Sequence, residues 1–490
     1  MTAFTTTFKK KLSLGLGLAL LLGGAARASF YDDTQAALQK HDYLVAWKGF
    51  NNLAAEGDVR AQLALGDMCG QGLGVPQDYA CALAWYRLAA AQGSDEAQRN
   101  LALMYVRGHG TAQDYAQAAQ WLQTAAKAGD AKAQVSLGMI YENGQGVHRD
   151  YVQALDWYQR AAHQQSGEGN FRIGSMFAHG EGMPPSNVEA AVWYRHAADQ
   201  GYAPAQEMLG EMYEKGDGVP QSYGEASQWY RNAAVEGNGK AAALLGQLYA
   251  QGLGVPQDYA LAVTWLQRGA QDAGAGPQFT LGVMYAEGLG VKQDYAQAVQ
   301  WYRLAAAQGL VQAQFSLGLL CERGEGVAQD YVQAAQYYRQ AANQGVAPAE
   351  LMLGLLYASG NGVKQDYTQA AHWLQKAAVQ GNAEAQNQLG LLYASGEGVG
   401  HNPVAAYALF TLAMAPEGPT RHSAAEHQQF MVNSMFPEEL APAQALAEKL
   451  LGGAPLQEAL AGASRWQQAP AKGKRDLAGN GPAKRGGAVD

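Results

Sequence analysis

The sequence predicts an all-α chain of stacked helical hairpins, and three observations predict it. Gly66, Gly138, Gly174, Gly210, Gly246, Gly282, Gly318, Gly354 and Gly390 mark a 36-residue period, with Ala102 in the one missing slot. Trp85, Trp121, Trp157, Trp193, Trp229, Trp265, Trp301 and Trp373 keep the same register, and Tyr337 takes the ninth Trp slot. Turn punctuation such as Gly70-Gln71-Gly72-Leu73-Gly74-Val75-Pro76 separates the two marks. Ten units over residues 58–417 without an insertion imply a solenoid, in which each unit buries its apolar face mainly against its neighbours. A chain of this length would ordinarily suggest three domains, but the uniform period overrides that expectation.

Residues 58–93 serve as the unit. Ala61, Leu65, Gly66 and Cys69 have helical spacing and predict a first helix over 58 to about 70. Gly accepts the left-handed geometry of a helix C-terminus and Pro cannot continue the helix, so the Gly-rich run ends it. Asp78 can cap a second helix from Tyr79 to Ala91, with Ala82, Trp85, Ala89 and Ala90 inward and Gly93 closing it. Asp114 with Gln117 has the spacing of a capping box. A mid-helix Gly costs roughly 1 kcal/mol against Ala. Gly66 and its equivalents therefore predict close helix approach, with Ala82 and its equivalents doing the same from the second helix.

Both ends depart from the pattern, as a solenoid needs in order to cover its terminal apolar faces. Residues 1–28 predict a secretory signal peptide: Lys9, Lys10 and Lys11, an apolar stretch Leu12 to Leu22, then Ala26-Arg27-Ala28 before the cut. Tyr43, Ala46, Phe50, Ala54 and Gly57 continue the second-helix register backwards, which makes 29–57 an N-terminal capping region. Pro403 to Ala415 is the last second helix, and residues 418–451 hold two closing helices, about 420–434 and 437–451. Residues 452–490 are Gly, Pro and Ala with scattered Lys and Arg, the composition of a disordered basic tail.

Removing residues 1–28 leaves 30 basic against 43 acidic residues. A surface of that sign repels nucleic acid and anionic lipid. Beyond the leader no run approaches the ~20 apolar residues of a membrane span. The expected product is exported, periplasmic first and secreted second. Three Cys cannot make a disulfide framework. Cys69 and Cys321 take a slot held elsewhere mainly by Tyr and read as buried; Cys81 takes a Gln or Glu slot and reads as exposed. A Cys69–Cys81 bridge and a free Cys81 both fit.

The pattern A-x-A-Q-x-x-L-G-x-x-Y-x-x-G-x-G-V-x-Q-D-Y-x-x-A-x-x-W-Y-x-x-A-A-x-x-G, nearly intact at Ala131 to Gly146 and at Ala313 to Gly345, resembles the Sel1-like repeat, a relative of the tetratricopeptide repeat. The resemblance covers residues 58 to about 417 and implies a right-handed α-solenoid of ten helix-turn-helix repeats of bacterial exported type. Departures are local: Ala102 for Gly, Thr111 for Val, Met183-Pro184-Pro185 in the fourth loop, Gly269 for Ala. Some Cys-rich relatives are associated with β-lactams. Where their Cys pairs stand, this chain holds Ala, for example Ala89, Ala90 and Ala97.

Catalytic signatures are missing: no Ser-x-x-Lys, Gly-x-Ser-x-Gly, His-Glu-x-x-His or phosphate loop. The Gly-x-Gly pairs are helix stops, since none follows a strand. His422 and His427 flank Glu426, but their spacing does not bring both His to one helix face. No catalytic residue, metal or cofactor is expected.

With the first-helix Gly at zero, slots minus 3, minus 2, plus 1, plus 4 and plus 5 share one half of the helical wheel and vary from unit to unit. In tetratricopeptide-like folds that face lines the concave side, so the resemblance makes it the partner-binding face. Its middle carries Glu207, Glu211 and Gln247; later units carry Phe279 with Val283, Phe315 with Leu319, Leu351 with Leu355, and Leu391. The apolar row suits a groove for a peptide or amphipathic helix, and equally a core buried by curvature. The expected function is a non-enzymatic envelope adaptor whose partners are other envelope proteins or peptide segments. The alternative is a β-lactam or peptidoglycan-fragment binder with weak hydrolase activity.

Overall fold

A computed structural model describes residues 24–466, and among these residues it has 25 α-helices, a short 3-10 helix at Ser464–Trp466 and no strand. Residues 1–23 of the expected 1–28 signal peptide, and 467–490 of the expected tail, lie outside the described residues. The chain forms two compact units: residues through Ala241 with Leu253–Val255, and Ala242–Gly252 with residues from Pro256 onward. Within each, most consecutive helices pack against one another. This is an all-α solenoid of ten repeats.

The first unit opens with the helices Gly24–Gln39 and Tyr43–Ala55, then five repeats beginning with the pair Val59–Gln71 and Tyr79–Ala91. Asp58 opens the first helix by accepting hydrogen bonds from Arg60 N and Ala61 N at 2.9 and 3.2 Å. Gly72 closes it at φ +73°. The Gln-Asp-Tyr motif then locks the hairpin. Gln77 Nε2 donates to Gly70 O at 2.8 Å and to Tyr79 OH at 3.0 Å, tying the end of one helix to the start of the next. Asp78 accepts from Ala80 N and Cys81 N, filling donors that a helix start leaves unpaired. The second loop glycine serves the stacking: a Cβ on Gly146, at φ +70°, would lie 2.5 Å from Ala116 N in the preceding repeat.

The mid-helix glycines have a specific partner. A Cβ on Gly66, Gly138 or Gly210 would lie 2.5 Å from a ring carbon of Tyr86, Tyr158 or Tyr230, the residue that follows the Trp in the second helix of the same repeat. Close approach is thus as expected, but the group pressed onto the glycine is this ring rather than the Trp. The Trp reaches the neighbouring unit instead: Trp193 packs against the cluster of Tyr158, Ala161 and Ile173. Leu65, Leu101, Leu137 and Ile173 are almost fully buried, each contributing about 1.5–3 kcal/mol.

Buried Gln62 bridges to the preceding element through Nε2 to Ala54 O at 3.4 Å, while its Oε1 accepts from Gln92 Nε2 at 2.8 Å. The same pairing joins Gln134 with Gln164, Gln278 with Gln308, and Gln314 with Gln344. Cys69 and Cys81 form a disulfide across the first hairpin, with Cα atoms 5.9 Å apart; Cys321 is buried and free.

The second unit continues through Ala383–Ser395 and Pro403–Ala413 to closing helices Thr420–Ser434 and Pro437–Leu451. Glu439 Oε2 accepts from Phe436 N at 3.0 Å at the start of the latter. The expectation of disorder from Gly452 needs correction over its first part. Leu456–Gly462 is a helix whose Leu456, Ala459 and Leu460 are buried in the terminal core. Asn402 Nδ2 donates to Ala463 O at 3.0 Å and fixes its far end. Three apolar contacts on a seven-residue helix outweigh the Gly- and Pro-rich composition around it.

Candidate partner-binding surface

In the first unit, Glu207 and Glu211 stand one turn apart on the helix Ala203–Lys215. Lys240 Nζ reaches both carboxylates, at 2.6 and 2.7 Å, and Lys215 Nζ lies 3.0 Å from Glu211. Asn238 Nδ2 also donates to Glu207 at 2.7 Å. Burial opposes the charge on Glu211, yet the two lysines outweigh it and hold its carboxyl below the usual range. Burial likewise opposes the charge on Lys240, and the two glutamates raise its pKa. The sequence suggests an open acidic stretch; the structure places two carboxylates already matched by two lysines.

In the second unit, Phe279, Val283, Phe315, Leu319, Leu351, Leu355 and Leu391 are all half-buried. Phe279 leans on Tyr302, with ring centroids 5.4 Å apart, and Phe315 on Tyr338 at 5.8 Å. Each ring packs at a tilt on the tyrosine that lies against the central glycine and stays partly exposed. Phe279 and Val283 border one core cluster, Phe315 and Leu319 a second, Leu351 and Leu391 a third. Groove and core are therefore not exclusive: the row roofs the core and presents apolar surface at the same time.

Four carboxylates on the variable half of the first helix have a structural task that the sequence reading misses. Tyr158 OH donates to Glu142, Tyr230 OH to Glu214 at 2.6 Å, Tyr338 OH to Glu322 at 2.5 Å, and Tyr86 OH to Asp67 at 2.6 Å. Burial and these neighbouring carboxylates push the tyrosine hydroxyls far above their usual pKa. Tyr194 and Tyr302 are pushed up to about 12, chiefly by burial. The readable signal is the pairing itself: Glu stands 16 residues before Tyr at 142/158, 214/230 and 322/338.

The two histidines near the C-terminus part company. His422 Nε2 lies 3.2 Å from Glu426, whereas His427 Nδ1 pairs with Asn387 Oδ1 at 2.9 Å and its ring packs on Phe410. Burial lowers the His427 pKa. No helix among the described residues is long and apolar enough to cross a membrane.

The Sel1 repeat profile matches ten segments: 59–94, 95–130, 131–166, 167–202, 203–238, 239–273, 278–310, 311–346, 347–382 and 383–414. The crystal structure of c5321, described as a protective antigen present in uropathogenic Escherichia coli strains and displaying an SLR fold, is similar. It shares 31% identity over 87% of this chain and 99% of that one, with a TM-score of 0.55. A Sel1 repeat protein from Oxalobacter formigenes shares 30% identity over 50% of this chain and 99% of its own, with a TM-score of 0.45. No curated protein matches significantly. The ten matched segments run in phase with the ten observed helix pairs, so the chain belongs to the Sel1 repeat family.

Proposed function

We propose that this chain is an exported, non-enzymatic scaffold of the bacterial cell envelope that holds protein partners on the first helices of its later repeats. The observation that carries the reading is the partly exposed row from Phe279 to Leu391. It offers apolar side chains at i, i+4 spacing, the form in which an amphipathic helix or extended peptide is gripped. Glu207 and Glu211, already paired with Lys240, are assigned the weaker part.

Two features support export. The leader has the charged, apolar and small-residue segments of a secretory signal, and the Cys69–Cys81 bridge suits an oxidising compartment such as the periplasm. The reading is tested by affinity capture from envelope extract, using the mature protein beside a Phe279→Glu, Phe315→Glu double variant whose helical circular dichroism is intact. A partner held by the first and lost by the second supports it. A partner held equally by both would refute the placement on this row.

A further inference from the structure

We infer that Glu350 is a proton-operated latch between repeats 8 and 9: it folds as the neutral acid, its O–H donates to Ala342 O, and losing that proton loosens the seam. The argument starts from the slot that Glu350 occupies, four residues before the central glycine of the first helix. Seven of the ten repeats carry Gln there. Each of the seven is buried and donates through Nε2 to the backbone carbonyl eight residues earlier, as Gln134 does to Ala126 O at 3.0 Å and Gln278 to Ala270 O at 2.8 Å. Repeat 9 alone puts an acid in the slot, and Glu350 is only 2% exposed.

The head group is seated as in the Gln repeats. Gln314 Oε1 accepts from Gln344 Nε2 at 3.0 Å, and Glu350 Oε2 accepts from Gln380 Nε2, which stands at the same position in its own repeat, at 2.7 Å. With one head-group oxygen held by the same partner, the second oxygen takes the place of the Gln Nε2, toward Ala342 O. An ionised carboxylate there would set lone pairs against a carbonyl and leave a buried charge half satisfied. A carboxylic acid has the missing hydrogen and restores the donation that the seven glutamines make.

The surroundings favour the neutral form. On the second helix of the repeat, Tyr367–Val379, Lys376 is the charged group that acts on Glu350, and its Nζ lies 4.5 Å from the Trp373 ring centroid; His372 is exposed. On the preceding helix, Tyr331–Ala342, Arg339 donates to Tyr357 OH at 2.7 Å. Burial raises the Glu350 pKa, and the positive charge of Lys376 and the hydrogen bond from Gln380 only partly oppose it. With a raised value in the folded chain, the contribution is complete below the ordinary carboxylate range and is lost as pH rises through the raised value. The seam is therefore tight in acid and slackens as pH rises, the opposite sense to Glu211. Leu351 and Leu355 share this helix, but the latch is measured on the chain alone, so it and the partner row stand or fall separately.

The test is carboxyl-carbon NMR on the full mature chain labelled at glutamate, with the Glu350 signal identified by its loss in Glu350→Gln, together with urea unfolding from acid to neutral pH. The Glu350 signal should titrate above the ordinary carboxylate range. Glu350→Gln supplies the donor permanently, so its stability relative to the original chain should grow as pH rises. The ratio of the two unfolding constants should change by at most about tenfold per pH unit, the slope of one proton. Gln314→Glu should install the same pH dependence in repeat 8, which guards against a folding defect in the first variant. A Glu350 signal that titrates in the ordinary range would overturn the proposal. So would an effect of Glu350→Gln, or of Gln314→Glu, that is the same at every pH.

Discussion

The first helix of repeat 5 and those of repeats 7 to 9 are built on one frame and furnished in opposite ways. Three residues before the central glycine stand Glu207 in the one and Phe279, Phe315 and Leu351 in the others; one residue after it stand Glu211, then Val283, Leu319 and Leu355. The frame is common to both: Gly210 lies under Tyr230 as Gly282 lies under Tyr302. The carboxylates are paired with Lys240 and Lys215, whereas the apolar side chains are partly buried and keep part of their surface exposed. The difference teaches that the repeat needs a small residue at the centre of its first helix, a large one facing it and its loop, and tolerates charged or apolar side chains at these two slots.

The largest effects should fall on the shared frame, equally in both units. Gly210→Leu and Gly246→Leu place side chains where a Cβ alone would lie 2.5 Å from Tyr230 and 2.7 Å from Leu266. Each should cost about 3 kcal/mol in urea unfolding; tolerance of either would break the claim of a common frame. Next, Cys69→Ser opens a bridge between residues 12 apart in the chain, which should cost about 2 kcal/mol. Thermal melts with and without reductant should show that loss in the first unit only.

Smaller effects separate the furnishings. Phe315→Ala should cost about 1–2 kcal/mol, less than a full core truncation because the ring is only partly buried, while Glu207→Ala should cost less than Phe315→Ala. The smallest effect concerns Lys240→Met. Glu211 has a lowered pKa in the folded chain, so its contribution is complete above the ordinary carboxylate range and is lost as pH falls through the lowered value. Lys240 has a raised pKa, and its contribution is lost only as pH rises through that value. Removing Lys240 should flatten the acid limb of the stability curve by under about 1 kcal/mol, since the group is half exposed. An unchanged acid limb would show that Lys215 alone holds Glu211.

The helix pairs and their boundaries were legible because a 36-residue period repeats every signal ten times, so local ambiguity averages out. The ring over the glycine was harder to read. Trp is the more conspicuous of the adjacent Trp-Tyr pair, and helical spacing alone does not say which of two neighbouring residues points at the glycine. Glu142, Glu214 and Glu322 looked free because the same slot holds Ala in other repeats. Where the second helix brings Leu266, Leu374 or Phe410 to the glycine, the matching position is Ala250, Ala358 or Ala394. The match is partial, since Tyr194 and Tyr302 keep the hydroxyl with Ala178 and Ala286 at that position, and such a pattern is visible only between repeats. Burial of the apolar row was not decided by sequence, because half-burial satisfies the pattern for groove and for core alike.

The most direct test of recognition through the later first helices is photo-crosslinking in envelope extract with benzoylphenylalanine placed at Leu319 in one protein and at Glu211 in another. The account predicts a discrete crosslinked partner from position 319 and none from position 211. A partner crosslinked from 211 and not from 319 would contradict it, and would move recognition to the charged helix of the first unit.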